Sequence, residues 1–123
     1  MSDKYRQSKN YFLVYAELIN AARRRGTVTY QELAEVVGLP LRGSHMGREL
    51  GMLLGAVSED EVHLGRPMLS AVAINVSGSP GDGFFALAKE LGLFNSSDPQ
   101  AQKQFWEDQK QQVYETWKRE FKK

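Results

Sequence analysis

The sequence predicts a mostly helical α+β domain, a winged helix-turn-helix with added helices at its N- and C-terminal ends. Two observations define the class. Thr27-Val28-Thr29-Tyr30-Gln31-Glu32-Leu33-Ala34, followed by Gly38-Leu39-Pro40 and Met46-Gly47-Arg48-Glu49-Leu50, reads as a short strand, a helix, a turn and a second helix. Residues 68–74 form a nearly continuous apolar run, as expected of a strand covered on both faces. At 123 residues the chain is most simply one domain, 1–123, long enough to bury a core without disulfides or metal.

The elements follow in order. Over residues 3–25, Phe12, Tyr15, Ile19 and Ala22 recur at helical spacing, widened by Tyr11, Val14 and Leu18, which predicts an amphipathic helix. Arg23-Arg24-Arg25 place positive charge in its last turn, where the helix dipole favours cations, and Gly26 is the expected C-cap. Thr27-Val28-Thr29 is β-prone, and Thr29 with Glu32 has the spacing of a capping box for a helix over 30–37. Gly38 ends that helix and Pro40 forbids its continuation.

A second helix is expected over 44–54, with Met46, Leu50, Leu53 and Leu54 on one side. Gly47 and Gly51 weaken it by roughly 1 kcal/mol each relative to alanine, and allow another backbone to come close. Ser58-Glu59-Asp60-Glu61 repeats the capping-box spacing and predicts a separate short acidic helix to about residue 64, broken by Gly65-Arg66-Pro67. After the apolar strand, residues 75–83 carry the composition of a loop or tight hairpin. A helix over 83–91 follows, with Asp82 as N-cap and Gly92 as stop. Pro99 starts the last element, a C-terminal amphipathic helix over 99–123 bearing Trp106, Val113, Trp117 and Phe121 on one face.

Composition narrows the function. The chain has no cysteine, which excludes disulfides, thiolate metal sites and cysteine nucleophiles and fits a cytoplasmic protein. No apolar run reaches the roughly 18 residues that span a bilayer, and the polar N-terminus is not a secretory signal, so no membrane association is expected. The overall charge of +1 is unevenly spread: +3 over residues 1–50, −4 over 51–98 and +2 over 99–123. A basic N-terminal half can face phosphates while the acidic middle faces away.

Arg42, Ser44, His45 and Arg48 surround the start of the presumed recognition helix. Arginines there can grip phosphate or guanine, and a helix N-terminus favours an anion. The glycine-rich stretch 77–83 lacks the lysine and spacing of a phosphate-binding loop. His45 and His63 are the only histidines and do not form a helical metal-binding pair; the carboxylates beside His63 read as a solvated acidic turn. Trp106, Tyr114, Trp117 and Phe121 read as packing residues or a dimer interface before base-stacking ones. No nucleophile–base pair is visible, so no enzymatic activity, cofactor or metal is expected.

Residues 26–50 resemble the DNA-binding segment of the alkylguanine DNA alkyltransferases and the alkyltransferase-like proteins. The matching residues are Gly26, Val28-Thr29-Tyr30, Glu32-Leu33-Ala34, Gly38, Pro40, Met46-Gly47 and Leu50. The resemblance covers roughly a fifth of the chain and implies a winged helix-turn-helix that binds the minor groove, with Tyr30 at a position that contacts the DNA backbone. The family's Pro-Cys-His-Arg site would fall near Pro67-Met68-Leu69-Ser70, where nucleophile, histidine and arginine are all missing. Its base-flipping arginine would fall at Ser44, with Arg42 two residues earlier. Alkyl transfer is thereby excluded, since no thiolate exists to attack carbon.

Two expectations follow. The first is a non-catalytic DNA-binding protein using Tyr30, Arg42, Ser44, His45 and Arg48. The alternative is an adaptor or homodimer that uses the Phe84-Phe85 region and the aromatic C-terminal helix.

Overall fold

The computed structural model describes residues 6, 8–39 and 44–119; for residues 44–46 it describes the backbone alone. Among the described residues, five α-helices, α1 (Lys9–Arg23), α2 (Tyr30–Val37), α3 (Ser44–His63), α4 (Asp82–Glu90) and α5 (Pro99–Trp117), surround a small parallel sheet of β1 (Val28–Thr29) and β2 (Ala73–Ile74). The strands pair Val28 with Ala73 and Thr29 with Ile74. The architecture is therefore α+β and mostly helical. Among the described residues the strand pairing is parallel, and no antiparallel hairpin of the kind that forms a wing follows α3.

Helix α1 starts where the Ser8 side chain accepts the Tyr11 amide. It buries Tyr11, Val14, Leu18, Ala21 and Ala22. The buried stripe is thus turned away from the expected Phe12 line, and Phe12 stands 55% exposed. The helix also ends differently from expectation. Gly26 N–H donates to Ala21 O at 2.8 Å and Arg25 N–H to Ala22 O at 3.1 Å, which is Schellman closure. The left-handed residue in it is Arg25, at φ +55°, and not Gly26.

The capping box of α2 forms as expected: Thr29 N–H donates to Glu32 Oε1 at 2.8 Å and Glu32 N–H to Thr29 Oγ1 at 3.0 Å. Hydrogen bonding from the Thr29 amide, and then from the Thr29 side chain, lowers the Glu32 carboxyl from its ordinary value. Gly38 closes α2 in the left-handed conformation, φ +78°, a geometry that favours glycine.

Helix α3 is one 20-residue helix where two were expected. The spacing Ser58–Glu61 mimics a cap, but tertiary partners take both side chains. Ser58 Oγ donates to Ser70 Oγ at 2.8 Å and accepts the Ser70 amide at 3.0 Å. With Ser58 turned inward, nothing competes with the helical backbone. Gly65, at φ +81°, then ends the helix, with Arg66 N–H bonded to Glu61 O at 2.9 Å.

The apolar run at 68–74 is buried, as its composition demands, but only Ala73–Ile74 is strand. Leu69–Val72 form a buried 3-10 turn packed against α1, α3 and α5. Side chains from the helices satisfy this backbone instead of a neighbouring strand. Gln109 Oε1 accepts the Met68 amide at 2.9 Å, Ser58 Oγ that of Ser70, and Trp106 Nε1–H donates to Ala71 O at 2.8 Å.

Residues 75–79 make a tight turn on the Asn75 side chain, which accepts the Ser77 amide at 2.9 Å. Helix α4 is capped by Gly81, without a side-chain bond; Asp82, the expected cap, is its first residue. On α4 it is Phe84 that is buried, while Phe85 and Leu87 pack half-buried on the core. Helix α5 begins as expected, with Asp98 accepting the Ala101 amide at 2.9 Å and Pro99 in first position. Trp106 and Val113 enter the core, and Tyr114 Oη donates to Gly26 O at 2.9 Å. Phe121, expected on the same face, lies outside the described residues. No helix among the described residues is long and apolar enough to cross a membrane.

Candidate nucleic-acid interface and the adjoining cavity

Helix α3 is held by its apolar face. Leu50, Leu53 and Leu54 are buried, together with Leu33 and Ala34 of α2. Arg48 lies on the opposite side and is exposed; Gly47 and Gly51, also exposed, lie on the flank between it and the apolar face. Among the described residues no ion pair engages Arg48. Its guanidinium is therefore presented to solvent on a rigid support, which is what a phosphate or base-edge contact requires.

The other expected contact residues are placed less fully. Arg42 lies outside the described residues, and of Ser44 and His45 only the backbone is described, in the first turn of α3. Tyr30 is half-buried at the start of α2, and its hydroxyl accepts the Gly81 amide at 2.7 Å. Burial raises its pKa, partly offset by that bond. Tyr30 thus ties α2 to the loop before α4 and keeps its own hydroxyl proton to donate.

Tyr30 and α3 meet at a cavity of about 520 Å³. Gly47, Gly51 and Gly55 line it from α3, Phe84 and Leu87 from α4, and Ser70 from the 3-10 turn. The sequence marks Gly47 and Gly51 as places for close approach; it does not show that α4 stands across from them.

The expected solvated acidic turn is also absent. Glu61 is fully buried, and Arg66 grips it with two bonds, Nε to Oε1 at 2.9 Å and Nη2 to Oε2 at 2.7 Å. Tyr15 Oη donates to the same carboxylate. Asp60 accepts from Tyr11 and Arg6, and Arg6 also pairs with Glu59. Together the three carboxylates tie Arg6, α1 and the 65–67 turn to the C-terminal half of α3, and His63 is left exposed. Burial, then the bond to Glu61, pushes Tyr15 up to about 12; Tyr11 is raised by burial and by Asp60. Apart from a buried carboxylate being stable only when paired, nothing local marks these residues as structural.

The aromatic residues of α4 and α5 are largely consumed within the fold. Phe94 stacks on Phe105 with ring centres 4.6 Å apart, and Phe84 lies 5.9 Å from Phe105. The chain matches no family model, no curated protein and no solved structure.

Proposed function

We propose that this chain is a non-catalytic DNA-binding domain that sets the exposed start of α3 on duplex DNA. The observation that carries the reading is the pairing of a rigidly backed helix with an uncovered face bearing Arg48. Leu50, Leu53 and Leu54 fix α3 from behind, and glycines on either side of Arg48 leave its backbone open to a close-lying strand. Ser44 and His45 fall in the first turn of the same helix, where backbone amides attract phosphate. Arg42, three residues before His45 in sequence, belongs to the same proposed contact set with Tyr30.

The resemblance to the alkyltransferase-like segment agrees with this docking mode. It supplies no chemistry: the positions near Pro67-Met68-Leu69-Ser70 hold no thiol, and Met68 is fully buried. The adaptor alternative has less to offer a partner, because Phe84 and Trp106 are core residues and Phe94 and Phe105 stack on each other.

The test is a salt titration of binding to a labelled duplex. Affinity should fall steeply as salt rises, because each neutralised phosphate releases counterions. The pair Arg42→Glu and Arg48→Glu should weaken binding at least about tenfold and flatten the salt slope. No binding of the folded wild-type chain at low salt overturns the reading.

A further inference from the structure

The cavity between α3 and α4 has the size of a small-molecule site, about 520 Å³. Ligand pockets run to roughly 300–1,000 Å³, with mostly apolar walls and a few polar groups that orient the occupant. This one fits that description. Phe84, Leu87, Leu50 and Leu54 supply apolar surface, and Tyr30 and Ser70 supply hydroxyls.

The α3 wall is unusually bare. Gly47, Gly51 and Gly55 recur every fourth residue, and a Cβ built on any of them would meet nothing within 4 Å. None adopts a positive φ. Neither the packing of this fold nor the backbone conformation calls for glycine at these positions. Their effect is to leave a flat strip of helix backbone along the cavity, opposite the Phe84 ring.

Charge decides the class of occupant. Among the described residues, the charged side chains that line the cavity are both acidic, Glu59 and Glu90, and no lysine or arginine lines it. Glu59 is already paired with Arg6. Glu90 is exposed, and among the described residues no ion pair engages it. An anion would be repelled here; a cation would gain a carboxylate partner. We propose that this cavity binds a small organic cation with a flat apolar body, its ring against the glycine strip and Phe84 and its charged end at Glu90. The site adjoins the contacts assigned to Arg48 and shares Tyr30, Gly47 and Gly51 with the face proposed to lie on DNA, while Arg48 itself does not line it.

Three matched probes test this: naphthylmethylamine, which is cationic at neutral pH, naphthylmethanol, which is neutral, and naphthoate, which is anionic. Each is titrated into the isotope-labelled full chain without DNA and followed by amide shifts. The amine should move the Gly47, Gly51, Gly55 and Gly81 amides and bind at least about tenfold more tightly than naphthoate, with the alcohol between. Glu90→Gln should reduce the preference for amine over alcohol about threefold or more and leave alcohol binding unchanged. Gly51→Leu, which fills open space on a helix face, should remove binding of all three while circular dichroism shows the fold intact. Absence of shifts with every probe at millimolar concentration overturns the proposal. So does naphthoate binding as tightly as the amine, or unchanged binding by folded Gly51→Leu. Because no DNA is present, failure here leaves the DNA-binding reading standing, and the reverse also holds.

Discussion

Replacing Glu61 with glutamine perturbs the most deeply buried charge among the described residues. The carboxylate is fully buried and accepts two bonds from Arg66 and one from Tyr15. Glutamine keeps the shape, but its NH₂ group faces a guanidinium or a hydroxyl that also donates. One charge-assisted bond is worth roughly 1.5–3 kcal/mol, and an unsatisfied buried donor costs a further 1–3 kcal/mol. The Arg66 side chain is 35% exposed, so water screens part of the loss and places the total near the lower end, about 3 kcal/mol. Urea unfolding followed by far-UV circular dichroism measures it. The double variant Glu61→Leu with Arg66→Met should lose less than Glu61→Gln alone, because an apolar pair leaves no buried charge uncompensated. The half-buried Tyr15 hydroxyl can then turn to water. If Glu61→Gln stays within about 0.5 kcal/mol of wild type, the carboxylate behaves as a surface group and the reasoning fails.

Other perturbations separate elements of the fold. Phe84→Ala should destabilise by about 3–5 kcal/mol and Phe85→Ala by distinctly less, since Phe84 is the buried ring; denaturant midpoints of the two variants decide the order. Alkaline pH should unfold the chain through Tyr11 and Tyr15. Both have folded-state pKa values raised above the ordinary tyrosine value, so their contribution is fully present below about pH 10 and is lost as pH rises through the folded values, about 12 for Tyr15. A pH titration of stability in which Tyr15→Phe leaves the alkaline limb unchanged would remove Tyr15 from that account. Incubation with methylated guanine DNA should leave the mass of the chain unchanged. A methyl adduct on Met68 would overturn the expectation of no alkyl transfer, which rests on the missing thiolate and on the cost of placing a sulfonium charge at a fully buried residue.

The elements read correctly from sequence are those whose signals are local. Thr29 and Glu32 cap α2 within four residues, Gly38 closes it, and Asp98-Pro99 start α5. The misread elements depend on partners far along the chain. Ser58 and Glu61 have the spacing of a cap, yet Ser70 and Arg66 claim them, so α3 runs on to His63. The apolar run at 68–74 announces burial, but burial does not specify a ladder; Trp106 and Gln109, on α5, take up its backbone groups and only two residues pair as strand. Arg25 occupies the left-handed position next to a glycine that suits it better, and an ion pair to Glu115 at 3.2 Å accompanies that choice.

The site divides in the same way. The exposure of Arg48 follows from helical spacing, since Leu50, Leu53 and Leu54 define the opposite side. The Tyr30–Gly81 bond joins residues 51 apart and has no local signature, nor does the cavity it adjoins. Helical glycines were the legible trace of that cavity, as a weakness in α3 with no local compensation.

Mapping a duplex directly onto the chain tests the proposed interface most closely. Unlabelled duplex titrated at low salt into the isotope-labelled protein should move the amides of Gly47, Arg48 and Gly51 most, together with those of the first turn of α3, and leave Lys118 and Arg119 near their free positions. The shifts should recede as salt is raised. Shifts confined to the basic residues at the ends of α1 and α5, or none at all with the chain folded, would contradict the placement of α3 on DNA.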